Sequence, residues 1–141
     1  MEILVNNGTL AATLIGAGEY STEYEIGGIN NDGTSAVNNK RARSIYINKI
    51  ASLPYVGVDK GSLDSSVVSI DLMSYDNNNT LVTRYTSGSA HWTTQNVLLE
   101  SNAVKFRFSL KFSDERDISS SDLESLAANV KVVFSDSATR S

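Results

Sequence analysis

Between Ala103 and Phe112 the chain alternates without a break: Val104, Phe106, Phe108, Leu110 and Phe112 fall on one parity, and Lys105, Arg107, Ser109 and Lys111 on the other. Successive side chains of an extended strand point to opposite faces, so this segment predicts a β-strand with every large apolar group on one side. A face of that kind must be covered by a second layer, and for an alternating antiparallel strand the usual layer is another sheet. Ser66–Tyr75 shows the same habit, with Val68, Ile70 and Leu72 in phase. It runs through Asp76-Asn77-Asn78-Asn79 into Thr80–Tyr85, which reads as a hairpin because Asp and Asn favour turns.

Further strands are expected at Thr9–Ile15, Arg41–Asn48, Pro54–Asp59, Asn96–Glu100 and Asn129–Phe134, separated by turn-formers such as Gly27-Gly28, Asn30-Asn31-Asp32-Gly33 and Gly61-Ser62. About eight short strands at intervals of about ten residues give the pattern of an all-β antiparallel sandwich of jelly-roll or carbohydrate-binding-module-like type. One short helix is predicted near the C-terminus over Asp122–Ala128, capped by Ser121 with Glu124 reciprocating. Thr22-x-x-Glu25 matches the same capping pattern but runs into Ile26-Gly27-Gly28, which argues against a helix there. A chain of 141 residues is expected to be a single domain, with 1–8 and 135–141 as flexible ends.

Composition narrows the function. A net charge of −4 argues against nucleic acid as a partner, because neutralising phosphates needs an excess of clustered Lys and Arg. The absence of cysteine removes thiolate chemistry, disulfides and cysteine-ligated metals. No apolar run is long enough to insert in a membrane, and Met1-Glu2-Ile3-Leu4 is no signal peptide. His91 is the only histidine, no Gly-x-Ser-x-Gly elbow or phosphate loop occurs, and no carboxylate pair stands out, so no catalytic residue is assigned and the chain reads as a non-enzyme.

With the strands placed, the order Glu25-Ile26-Gly27-Gly28-Ile29-Asn30, Lys40–Ile47, Ile70–Asp76, a lone Trp92, Asn102–Leu110 and Asp117-Ile118-Ser119 leading into Asp122-Leu123 resembles the sandwich modules of tail and baseplate proteins of phages and prophages of Gram-positive bacteria. The resemblance spans about two-thirds of the chain. It implies attachment to cell-wall or capsular polysaccharide, other tail or baseplate subunits as protein partners, and a place on the virion tail or outside the cell. A structural connector working only through protein–protein contacts is the alternative.

Candidate sugar contacts are Trp92 with Tyr85, Arg84, His91 and Gln95, and Tyr75 as a further platform beside Tyr20 and Tyr24. A sugar ring offers a flat C–H face and a rim of hydroxyls, which calls for an aromatic ring beside polar groups. The competing reading puts each aromatic in the core. Lys105, Arg107 and Lys111 with Arg41 and Arg43 suggest a basic strip attractive to phosphate-bearing polymers, or else a solvated sheet face. Asn30–Gly33 and Asp76–Asn79 carry oxygen ligands suited to a structural calcium ion but are also ordinary turns; no cofactor and no other metal site is expected.

Overall fold

The computed structural model describes residues 3–6, 9–16, 18–63, 65–86 and 95–137; for 3–6, 9–16 and 86 it describes the backbone alone. In chain order the strands are β1 (Ile3–Asn6), β2 (Thr9–Gly16), β3 (Glu19–Ser21), β4 (Tyr24–Ile26), β5 (Gly28–Ile29), β6 (Ser35–Ala36), β7 (Ala42–Ser44), β8 (Ile47–Asn48), β9 (Tyr55–Asp59), β10 (Val67–Tyr75), β11 (Leu81–Thr86), β12 (Val97–Leu98) and β13 (Lys105–Phe112). Helix α1 (Ser120–Asn129) and strand β14 (Lys131–Ser135) complete the described chain. Sheet I has the order β1-β2-β3-β14-β9-β12 and sheet II the order β11-β10-β13-β7-β4, with β8 also on β13. All pairings among the described residues are antiparallel. The protein is an all-β antiparallel sandwich with one short helix near its C-terminus.

The alternation in β13 does what the sequence predicts on one side. Phe106, Phe108, Leu110 and Phe112 are buried and meet the inward residues Val132 and Phe134 of β14 and Val56 and Val58 of β9. The Phe106 and Phe134 rings join the two sheets edge to face, their centroids 5.8 Å apart. Tyr24 packs against Phe108 at 5.8 Å and donates its buried hydroxyl to the Val130 carbonyl at 3.1 Å. Burial pushes the Tyr24 pKa well above the ordinary tyrosine value. Val104, of the same parity, is 40% exposed because it precedes the first residue of β13.

In β10 the expected phase is broken. The register on β13 steps from Val68↔Lys111 to Asp71↔Ser109, one extra residue on β10, and Ser69 has φ 54°. This β-bulge turns Val67 and Ile70 into the core together, while Val68, expected inward, is only half-buried. Arg41 donates to the carbonyl of the bulged Ser69 at 3.2 Å. The strand expected over Arg41–Asn48 divides into β7 and β8, and across the break the Ser44 hydroxyl accepts from the Phe108 N–H at 3.1 Å.

Helix α1 starts earlier than expected. Its cap is Ser119, not Ser121: Ser119 Oγ accepts from the Asp122 N–H at 3.2 Å, and the Asp122 carboxylate accepts from the Ser119 N–H at 3.0 Å. This start leaves buried Ile118 just before the cap and Leu123 on the fourth helical residue, and it turns Leu126 into the core. At the chain ends, Ile3–Asn6 pairs with β2, and Ser135 closes β14 opposite Tyr55. Residues 1, 2, 7, 8 and 138–141 of the expected loose ends lie outside the described residues.

The largest departure concerns the outer face of sheet II. Registers Leu72↔Phe108 and Met73↔Arg107 put Met73, Tyr75, Arg107 and Ser109 on the face away from sheet I, yet all four are buried. The hairpin β5–β6, here called the strap, pairs only with itself and folds over that face. Two glycines make the fold possible: Gly27 at φ 148°, where a Cβ would meet Arg43 Nη1 at 2.5 Å, and Gly33 at φ 91°, where it would meet Leu81 and Tyr75 at 3.0 Å.

Candidate functional site

The basic strip expected on the outer face is therefore no open surface. Arg107 is 3% exposed; its Nε donates to Tyr75 OH at 3.0 Å, Nη1 to Ser35 Oγ at 3.1 Å and Nη2 to the Gly33 carbonyl at 2.8 Å. Arg43 bonds Glu25 at 2.5 Å and the strap carbonyls of Gly28 and Ala36 at 2.9 and 3.2 Å. Lys111 pairs with Glu115, and Lys105 is hydrogen-bonded to Asn79 Oδ1. Guanidinium forks match carbonyl and hydroxyl acceptors at fixed angles, so the arginines rivet the strap to the sheet.

Tyr75 sits under the same strap, 1% exposed, with its hydroxyl donating to the Gly33 carbonyl at 2.7 Å. It cannot present a face to a sugar. Tyr20 and Tyr24 are likewise core residues. Arg84 and Tyr85 are neighbours on β11 and so point to opposite faces: Arg84 pairs with Asp71 at 3.6 Å outside, whereas Tyr85 faces between the sheets. Gln95 is exposed, one residue before buried Asn96. His91 and Trp92 lie outside the described residues.

Around Tyr85 the fold assembles a polar cluster that the sequence reading missed. Glu100, just beyond β12, accepts from Thr83 Oγ1 at 2.6 Å, Tyr85 OH at 3.0 Å and Ser74 Oγ at 3.3 Å. Tyr85 OH also lies 3.0 Å from the Leu98 carbonyl, and Lys49 Nζ bonds the Glu100 carbonyl at 2.9 Å. The cluster ties β11 of sheet II to the end of β12 in sheet I. The available signal was weak: Thr83 and Tyr85 share a parity of β11, and an acid closes the next strand.

Partial burial pushes the Glu100 pKa up, but the bonds from Thr83, its own backbone, Tyr85 and Ser74 outweigh that and hold it below the ordinary carboxylate value. Burial first, and then the Glu100 charge, push Tyr85 well above the ordinary tyrosine range. A carboxylate lowered on folding contributes stability above its unfolded pKa, and this is lost as pH falls through the folded pKa. Acid titration of wild type is expected to show that loss below about pH 4. Glu100→Gln should flatten the slope there; an unchanged slope would show that the hydroxyl bonds contribute nothing.

The two Asp/Asn turns are built by their own carboxylates. Asp32 Oδ1 accepts from the Thr34 hydroxyl at 2.6 Å and N–H at 3.0 Å, and Asp76 Oδ1 from the N–H groups of Asn78 and Thr80 at 2.8 and 3.0 Å. These are Asx-type turns. Among the described residues no group of three or more His, Cys, Asp or Glu side chains is placed to hold a metal ion, and no helix is long and apolar enough to cross a membrane.

The architecture thus defines the chain as an antiparallel β-sandwich with a strapped outer face and a hydroxyl–carboxylate cluster at one side. No protein-family model matches it, and neither a curated protein nor a solved structure is found to be similar.

Proposed function

We propose that the protein is a non-catalytic module that binds polysaccharide at the edge of the sandwich where β11 ends and β12 begins. The observation that carries this reading is the cluster of Thr83, Tyr85 and Glu100, which come from the strand before and the end of the strand after a stretch whose sequence is Ser87-Gly88-Ser89-Ala90-His91-Trp92-Thr93-Thr94. An ionised carboxylate and a tyrosine hydroxyl are acceptors for sugar hydroxyls, and an indole is the best platform for the C–H face of the ring. Glycoside hydrolysis uses two carboxyl groups, and 87–94 contributes none beside Glu100, which supports binding without cleavage. Cell-wall or capsular polysaccharide as ligand, a phage or prophage tail or baseplate as the parent assembly, and its other subunits as partners follow from the sequence resemblance. Several copies on a particle would convert weak single-site binding into firm adsorption.

Titration calorimetry with oligosaccharides from Gram-positive walls tests the proposal. Binding in the millimolar to micromolar range is expected, weakened about tenfold by Trp92→Ala. No binding by wild type would sink the proposal and favour a connector that works through protein contacts alone.

A further inference from the structure

On the outer face of sheet II, two cations converge on one ring. Lys105 Nζ lies 4.3 Å and Arg107 Cζ 4.5 Å from the Tyr46 centroid, and Tyr75 meets Tyr46 edge to face at 5.2 Å. Of the other cations of this face, Arg43 has Glu25, Arg84 has Asp71 and Lys111 has Glu115, while Arg41 donates to the Ser69 carbonyl. Among the described residues, Lys105 and Arg107 are answered only by neutral oxygens, those of Asn79 for the first and of Tyr75, Ser35 and Gly33 for the second. Two like charges on one ring repel, at a Coulombic cost that an anion would reduce.

The partners of Arg107 on the strap are held to this face by side-chain bonds and not by a strand ladder. The strap has no ladder to sheet II, Val37 just after it is fully exposed, and its tip is held through the Gly33 carbonyl, which accepts from Arg107 and Tyr75, and the Ser35 hydroxyl, which accepts from Arg107. An oxyanion makes stronger, charge-assisted and bidentate bonds to arginine than a carbonyl or a hydroxyl does. We infer that Lys105, Tyr46 and Arg107 form a binding site for an oxyanion, phosphate or carboxylate, carried by a charged polysaccharide, and that the strap tip at Gly33 gives way when the anion enters. The inference rests on the polysaccharide reading for the source of the anion, and on this geometry for the site.

Titration of the full chain with inorganic phosphate and, separately, glucuronate, at ionic strength fixed with chloride, is read by amide NMR. Saturable shifts are expected at Gly33, Ser35, Tyr46 and Lys105, with faster hydrogen exchange at Gly33 and Thr34. Lys105→Gln should weaken binding at least about fivefold and Lys105→Arg should restore it. Response to phosphate alone assigns a phosphate-bearing polymer, response to glucuronate alone a uronic acid polymer, and response to both the shared oxyanion chemistry. No saturable shift with either, or the same shifts with chloride, overturns the site. Retained phosphate shifts in a protein that fails to bind any wall oligosaccharide would leave the site standing and refute the proposed source.

Discussion

Phe108→Ala is expected to lower stability by about 3–5 kcal/mol in urea or thermal unfolding. The ring is fully buried on the inner face of β13 and packs against Tyr24, whose own hydroxyl is tied to Val130 between α1 and β14. Removing it leaves a void lined by both sheets, and a sandwich joined at Phe106–Phe134 cannot close up to fill it. A loss under about 1 kcal/mol would mean that β13 is not the seam between two layers.

Arg107→Ala should cost about 2–4 kcal/mol, and its effect should be local as well as global. The side chain fills the space between Tyr46 and Tyr75 and holds Ser35 and Gly33 of the strap. Hydrogen exchange should therefore lose protection first at Asn30 and Gly33, whose amides bond within the strap, while those of β13 and β14 keep theirs. Arg107→Lys keeps the charge but not the three-way fork, so it should recover less than half of the loss. Full recovery by lysine would show that charge alone matters and that the fork does not rivet the strap.

Periodicity made the inner layer legible. One unbroken run of alternating residues in β13 identified its core face, and the hairpin β10–β11 and the strand β14 followed from the same signal and from turn chemistry. What periodicity could not report is a change of phase or a second cover. The bulge at Ser69 moves Ile70 back into step with Val67, and serine at φ 54° carries no strong local mark. The strap contributes strands of two residues, too short for any alternation to show. Arg107 therefore reads from sequence as a solvated charge, because its parity is polar; only the glycines at 27, 28 and 33 hinted that the chain approaches another surface there. The candidate site was legible in part. Tyr85 belongs to a polar cluster, but Arg84 is on the opposite face of the same strand and Tyr75 is roofed over, as tertiary placement alone could decide.

The fold rests on two layers stacked through Phe106 and a strap laid over the far side of the same strand. Nuclear Overhauser contacts on the labelled protein measure both at once. Cross-peaks between the Phe106 and Phe134 rings, and between the Tyr75 ring and the Gly33 α-protons, are the predicted result. A Phe106 ring that contacts only water and its own strand, or Tyr75 protons free of residues 28–36, would contradict it.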